Sequence, residues 1–325
     1  MKILLIGPVP PPHGGISVHV SELRRQLTAA GIPCEVLDTR EVRRGFTVWR
    51  YAWNGWTLHL HTNGHNAKSW WLALLCGIAG RLAAGCVLTL HSGMAPSYLN
   101  SSSWRMSVAH MVCALYTRVV CVSAAIRDAV PSGKTEILPA CLPVARGTAV
   151  VGDRLAAWIE GRRPLLSTAL FFRPEYGFDV LSAAMKRLRD AHPALGCVVM
   201  GGTAPYTDGG TMFLTGDLDH DTCLALMARS DVFVRPTLQD GDSISVREAL
   251  SLGVPVVASR VGARPDGVVL FRPGDAEDLA SKVEEALAME RRDPAPVRGC
   301  LERLLEIYEE APRKTGRYDA ARAGV

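Results

Sequence analysis

The sequence predicts an α/β protein built from two Rossmann-like, doubly wound domains facing a cleft. Three observations carry that expectation. Short apolar runs alternate with amphipathic stretches in two successive series, one in each half of the chain. A glycine pair, Gly14-Gly15, closes the loop after the first apolar run and precedes a helix, a Rossmann-like start, although the full dinucleotide fingerprint is missing. Residues 232–258 read as strand, polar loop, short helix, glycine stop and second strand, which is half of a βαβ unit.

Length and composition bound the answer. A chain of 325 residues buries a large core, and its length suggests two domains. Hydrophobic content of 48% with 21% charged residues is ordinary for a globular protein. The net charge of +4 suits anionic substrates or headgroups and is far from a nucleic-acid-binding profile. Nine cysteines occur without a C-x-x-C pair, most among apolar neighbours, so they read as reduced packing residues of a cytosolic protein. The N-terminal apolar run is too short for a signal peptide, and the apolar stretch 70–78 meets Gly80-Arg81 before it could span a membrane.

In the first half, residues 3–6 read as a buried strand. A stiff Pro-rich loop follows, in which Gly14 and Gly15 are free to take strained backbone angles. A helix from about residue 16 places Val20, Leu23 and Leu27 at helical spacing and ends before Gly31. Residues 34–37 form the next strand. Beyond it, Arg40, Arg43, Arg44 and Arg50 interleave with Phe46, Trp49, Tyr51, Trp53 and Trp56. That mixture suits either a membrane interface or a helix with aromatics in the core and arginines in water. Strands follow at 58–60 and 86–90, with a helix over 70–84 between them. His59, His61 and His65 make a poor metal set, because no carboxylate or thiolate accompanies them. A helix over 106–117, a strand over 119–123, a short helix over 124–130 and a strand over 136–139 complete this half, and the linker falls near residues 142–152.

The second half restarts with strand 165–170, helix 178–191, strand 197–200, a short strand at 213–216 and helix 221–229. The run 232–234 is β-branched and bounded by turn residues, like a buried parallel strand. Asp242 or Ser243 can cap the next helix, Gly253 supplies a left-handed stop, and Pro255 prevents its continuation. Asp240 and Glu248 lie eight residues apart across that loop and helix, with a helix N-terminus between them as an anion site. A strand at 268–271 and helices over 276–287 and 300–310 follow, and the residues from 311 on read as a polar tail. The domains are therefore placed at residues 1–145, 146–295 and 296–325, the last a helix crossing back to the first domain plus the tail.

The run Glu248-Ala249-Leu250-Ser251-Leu252-Gly253-Val254-Pro255-Val256-Val257-Ala258 resembles the signature of retaining glycosyltransferases of family four, whose fold is GT-B. The family pattern is Glu, seven residues, Glu, then Ala and a Gly-x-Pro-Val-Val-Ala tail; Asp240 stands where the first Glu is usual. The resemblance implies that Asp240 holds donor-sugar hydroxyls and Glu248 the ribose of the nucleotide. Gly14-Gly15-Ile16 is similar to the family's N-terminal loop, whose amides approach the donor phosphates. His91-Ser92-Gly93 is similar to its His-Gly turn, which points an imidazole at the sugar. Phe171 and Tyr176 stand where the family has an Arg and a Lys on the diphosphate. Arg173 is either their substitute, holding phosphate oxygens by its fork, or a solvated loop charge.

The resemblance thus implies His91, Asp240 and Glu248 as catalytic residues. Gly14, Gly15, Arg173, Gly241, Asp242, Ser243 and Ile244 are implied as the donor-binding set. It implies a nucleotide diphosphate-sugar as donor and a glycan or lipid-linked acceptor, with neither cofactor nor metal ion. The protein would be cytoplasmic and peripheral at the inner face of the membrane, meeting it through residues 40–56. Asp240-Gly241-Asp242 also spells the D-x-D of metal-dependent transferases, but it sits in a loop that otherwise matches a metal-free family. Three acids around a diphosphate site need compensation from Arg173, Arg235, Arg247 or Arg264. Without it, the alternatives are a catalytically weakened GT-B protein serving as a binding partner or a sugar-nucleotide epimerase.

Overall fold

The computed structural model describes residues 1–40, 46–140, 147, 149–202, 210–293 and 299–311. The chain divides into two compact units. The first takes residues 1–9, 19–139 and the described residues from Gly299 onward; the second takes residues 10–18 and the described residues of 140–298. Residues 10–18 therefore group apart from the strand they follow. The loop is anchored there through the His13 amide, which donates to Asp217 Oδ1 at 3.1 Å.

The first unit carries a parallel sheet whose strands are β1 (Ile3–Gly7), β2 (Cys34–Asp38), β3 (Thr57–Thr62), β4 (Gly85–Leu90), β5 (Arg118–Cys121) and β6 (Thr135–Ile137). Their order is β2-β1-β3-β4-β5-β6. β1, β3 and β4 are buried along their whole length, as strands covered on both faces must be. The helices are α1 (Gly15–Ala29), α2 (Phe46–Trp53), α3 (Ala67–Ala79), α4 (Ala95–Asn100), α5 (Ser103–Ala114) and α6 (Ala124–Ala129). α1 buries Val20, Leu23 and Leu27, the spacing that predicted it. α3 begins three residues before its expected start, because Asn66 caps it by accepting from the Ser69 amide at 2.9 Å. It also ends earlier, at Gly80, where a Cβ would lie 2.4 Å from Cys86 Sγ. α4 had no sequence signal beyond its own six residues.

In the second unit the chain runs α7 (Asp153–Glu160), β7 (Leu165–Ala169), α8 (Phe178–Ala191), β8 (Gly196–Met200), β9 (Met212–Leu214) and α9 (His220–Arg229). It continues through β10 (Val232–Arg235), α10 (Ile244–Ser251), β11 (Val256–Ser259), β12 (Val268–Phe271) and α11 (Ala276–Leu287). The parallel sheet has the order β12-β11-β10-β7-β8-β9. Alternation along the strands separates two cores. Leu166, Val232, Val234 and Val257 pack with Leu181 and Met185 of α8 and Leu279 and Val283 of α11. Leu165, Val198, Phe233 and Val256 pack with Leu155 and Ile159 of α7, Leu224 and Met227 of α9, and Val246 and Ala249 of α10. This is the doubly wound arrangement the alternating pattern predicts. α7 lies beside the expected linker and was missed there; its short repeat shows two apolar anchors only, Leu155 and Ile159.

The last helix, α12 (Cys300–Glu310), belongs to the first unit. Its Tyr308 is 2% exposed, and the hydroxyl shares a 2.6 Å hydrogen bond with His59 Nδ1 on β3. Arg303 adds an ion pair to Glu136 of β6. Cys300 is disulfide-bonded, which corrects the reading of all cysteines as reduced; among the described residues seven others are free thiols. The expected tail beyond residue 311 and Arg43 and Arg44 lie outside the described residues. Among the described residues no helix is long and apolar enough to cross a membrane.

Removing the Tyr308 hydroxyl strands a buried imidazole nitrogen. Tyr308→Phe is expected to cost roughly 1–3 kcal/mol in urea unfolding. Unchanged stability would show that α12 is held by its charged contacts instead.

Candidate functional site

In a doubly wound sheet, ligands bind beyond the carboxyl ends of the strands where the order reverses. In the second unit that reversal falls between β7 and β10, which are neighbours although four elements, α8, β8, β9 and α9, separate them in sequence. The loops leaving these two strands, residues 170–177 and 236–243, contain most of the predicted donor residues.

The loops are built as one layer. The amides of Leu238 and Gln239 both donate to the Glu175 carbonyl, at 2.8 and 3.4 Å. Gly177 has φ +69°, and a Cβ there would sit 2.0 Å from the Pro236 carbonyl oxygen, so only glycine permits this approach. A third loop, after β11, joins through the Ala263 amide, which donates to the Gly241 carbonyl at 2.7 Å. Gly262 allows it: with φ +70°, a Cβ would meet the carbonyl oxygens of Gly241 and Asp240 at 2.4 and 2.6 Å.

Asp240 sits where these loops meet. Its Oδ2 accepts from Arg235 Nε and Arg264 Nη2, both at 3.1 Å, and from Thr237 Oγ1 at 3.2 Å. Its Oδ1 accepts from the Gly241 amide at 3.1 Å. Burial pushes this carboxyl up, but Arg235 and Arg264 together outweigh burial and hold it below the usual 3.8. Asp242 is the second carboxylate of the loop. Its oxygens accept from Arg247 Nε at 2.8 and 2.9 Å, and Oδ2 also from the Ala140 amide at 2.7 Å. Here burial prevails over Arg247, and the carboxyl rises above its usual value.

The compensation that the sequence demanded is therefore supplied by Arg235, Arg264 and Arg247. Three guanidiniums against two carboxylates leave this cluster at +1. Arg173 takes no part in it. It is exposed, and its guanidinium is unpaired among the described residues. Tyr176, in place of the family's lysine, packs its ring under Arg235, 5.3 Å from the guanidinium carbon.

α10 opens beyond the loop. Ser243 is its N-cap, but the hydroxyl makes no cap hydrogen bond and lies 3.1 Å from Ser245 Oγ instead. Among the described residues the first amides of the helix, from Ile244 on, thus have no side-chain acceptor. Glu248, one turn further, is buried, and its Oε1 lies 2.6 Å from His220 Nε2. Sequence reading missed His220. The available signal was Asp219, which caps α9 by accepting from the Thr222 amide at 2.9 Å and so puts His220 first in that helix.

Gly14 and Gly15 need no strained angles, since neither has positive φ. The Gly14 amide donates to Ser17 Oγ at 2.9 Å, which occupies it. Gly15 opens α1, and a Cβ there would meet nothing within 4 Å, so the glycine leaves space rather than relieving strain. His91 belongs to the first unit. It follows β4, and its Nε2 lies 3.1 Å from His61 Nδ1.

Residues 163–289 match the glycosyl transferases group 1 family. The phosphatidyl-myo-inositol mannosyltransferase of Propionibacterium freudenreichii subsp. shermanii is 33% identical over 152 residues, which is 44% of this chain and 39% of the relative. The sulfoquinovosyl transferase SQD2 of Arabidopsis thaliana is 31% identical over 144 residues, 39% of this chain and 27% of the relative. The matches thus span about two fifths and about a quarter of those proteins. Among solved structures, Anabaena HepE in complex with UDP and glucose superimposes with a TM-score of 0.66 at 16% identity, over 89% of this chain and 90% of that one. Sucrose-phosphate synthase from Thermosynechococcus elongatus gives 0.66 at 18% identity, over 96% and 95%. The likeness to both is one of fold.

Replacing Asp240 by asparagine leaves two nearly buried guanidiniums without their counter-charge, an expected loss of about 3–5 kcal/mol in urea unfolding. The folded carboxyl titrates below its unfolded value of 3.8, so its contribution is complete above that pH and disappears only as the pH falls through the lowered folded value. The Asp240→Asn penalty should therefore be constant from pH 7 to about 4 and shrink below it. A penalty that fades between pH 7 and 5 would contradict this electrostatic account.

Proposed function

We propose that this chain, whose residues 163–289 belong to the glycosyl transferases group 1 family, moves a sugar from a nucleotide diphosphate-sugar to an acceptor hydroxyl with retention of configuration. The observation that carries the reading is the uncapped N-terminus of α10, with the unpaired guanidinium of Arg173 on the neighbouring loop. Free amides, the positive end of the helix dipole and a planar cation are what a departing diphosphate requires. The amides around Gly241, Asp242, Ser243 and Ile244 receive its oxygens, and Arg173 takes the charge that the family's basic pair would hold. Gly15 leaves room for the phosphates at the start of α1.

Glu248 accepts from the ribose hydroxyls, and its hydrogen bond to His220 fixes which carboxylate oxygen faces the ligand. Asp240 has a positioning role through Oδ2 and keeps Oδ1, bonded only within its own loop, for a sugar hydroxyl. His91 is assigned to the sugar by resemblance. The donor needs no divalent cation on this reading. Both acids of Asp240-Gly241-Asp242 are already matched by arginines, so the D-x-D pattern offers no uncommitted carboxylate to Mg²⁺ or Mn²⁺.

The acceptor is proposed to be lipid-linked, reached at a membrane surface by the first unit. Its α3 presents Trp71, Leu75 and Ile78 on one exposed face, continued by Leu82, and α2 and α5, which both pack on α3, add exposed Trp49, Trp53 and Trp104. Arg50, Lys68 and Arg81 are exposed among these rings. Tryptophans with flanking cations fit a headgroup interface. The mannosyltransferase relative carries a phosphatidyl-inositol lipid in its name, which supports this choice. The surface is wider than residues 40–56, and Arg40 itself is paired with Asp38.

A panel of UDP-, GDP-, ADP- and dTDP-sugars, with UDP-glucose first because HepE holds UDP and glucose, should contain a compound that raises Tm. Arg173→Ala should weaken its binding by about 10–100-fold, the loss of a charge-assisted pair. Glu248→Ala should abolish binding or turnover. No shift with any member of the panel would leave a binding module as the better description. Transfer should survive EDTA, and a requirement for added Mn²⁺ would overturn the metal-free donor site. Flotation with anionic vesicles should be lost in Trp53→Ser/Trp71→Ser; undiminished flotation would remove the membrane surface from the account.

A further inference from the structure

The first unit holds a group of imidazoles that its own packing does not explain. His19 lies on α1, His61 in β3, and His91 immediately after β4. Gly7, at the end of β1, makes their approach possible: a Cβ there would lie 2.8 Å from Val20 Cγ2 and 3.4 Å from His61 Cβ. With no side chain at Gly7, α1 passes close over β3. The ring centroids are 5.3 Å apart for His19 and His61, 5.1 Å for His19 and His91, and 5.4 Å for His61 and His91. One nitrogen from each ring lies within 4.8 Å of those of the other two.

Two nitrogens of these rings lack partners among the described residues. His61 is 1% exposed, yet its Nε2 has no hydrogen-bond partner among the described residues, and neither has His19 Nδ1. A buried polar atom in that state costs about 1–3 kcal/mol unless something binds it. His59, on the same strand, is the internal comparison. Its Nδ1 is matched by Tyr308 at 2.6 Å and its Nε2 by Thr89 Oγ1 at 2.7 Å. This fold satisfies both nitrogens of a structural imidazole, whereas beside it His61 Nε2 and His19 Nδ1 stay open among the described residues and His61 Nδ1 meets only another imidazole, at His91 Nε2.

We propose that His19, His61 and His91 form a binding site for a divalent transition metal of the zinc class. Three nitrogen donors without a carboxylate select Zn²⁺, Co²⁺, Ni²⁺ or Cu²⁺ over Mg²⁺ and Ca²⁺, which prefer oxygen. Burial holds all three imidazoles neutral at physiological pH, His19 down to about 4 and the other two well below their ordinary value, and the neutral ring is the ligand form. Bonds of about 2.0–2.1 Å in a tetrahedral site put donors roughly 3.3–3.4 Å apart, so the rings close inward by up to about 1.5 Å on loading. His19 and His91 are partly exposed and have that freedom, while buried His61 anchors the site. Three protein ligands leave the fourth position for water or a ligand oxygen. The site lies wholly in the first unit and rests neither on the donor loops nor on the transferase reading. On any one molecule, metal binding and a sugar contact by His91 exclude each other.

The full chain, stripped with EDTA and dialysed into metal-free buffer, is titrated with Co²⁺ and with Zn²⁺. One equivalent should bind, with the visible d–d absorption of four-coordinate Co²⁺, and a tenfold excess of Mg²⁺ should not displace it. His19→Gln and His91→Gln, at partly exposed positions, should each weaken Zn²⁺ binding at least tenfold while circular dichroism stays native; His61→Gln should do the same if it folds. His192→Gln, at a surface imidazole paired with Glu284, and Glu248→Ala, in the donor site, should bind as the parent does. No stoichiometric binding, or undiminished binding in His19→Gln and His91→Gln, overturns the proposal.

Discussion

The ion cluster at Asp240 is the constraint on which the second unit's site depends. One carboxylate oxygen receives guanidiniums from β10 and from the loop after β11, and the other ties the carboxylate to the loop that leads into α10. These groups are nearly out of water, where an unpaired charge is costly, so the three chain segments have little freedom to separate. The consequence is positional. The start of α10 is aimed by a charge cluster rather than by a capping side chain, and its amides remain open. An ordinary N-cap at Ser243 would have stabilised the helix while occupying those amides.

The same cluster accounts for Tyr176. A lysine at that position would add a third cation beside Arg235, close to a carboxylate already matched by two. An aromatic ring under the guanidinium instead packs it without adding charge. Arg173, on the same loop, is exposed and takes no part in the cluster. Asp240 and Tyr176 thus belong together: the arginine pair holds the acid, and the ring packs one of those arginines.

The two units handle buried polarity in opposite ways. In the second, the buried acids Asp240 and Asp242 are answered by arginines. In the first, imidazoles sit side by side and burial keeps them neutral, outweighing even the pull of Glu22 on His19. His59 shows that neutrality alone is compatible with a fully satisfied ring. Its neighbours depart from that pattern only at the carboxyl ends of β3 and β4, where doubly wound sheets present their ligand-binding surface.

Much of the fold was legible because its signals are local. α8, α11, α12 and β12 have the bounds their periodicity and flanking residues indicate, and Gly253 takes the left-handed angle that stops α10. Glu248 and the Gly-x-Pro tail were equally readable, since they lie within one strand–helix–strand run. α4 and α7 were not: each is short, and its helical state depends on packing rather than on propensity. Sequence order alone therefore determined the alternation of strands and helices and the motif within residues 163–289 that match the family model. Tertiary structure decided which arginine answers which acid, that His220 stands against Glu248, and that His19, His61 and His91 share one place. Side chains 28, 30 or 42 residues apart leave no periodic trace in a chain, because their meeting is set by strand order and by the close approach that glycines such as Gly7 and Gly262 allow.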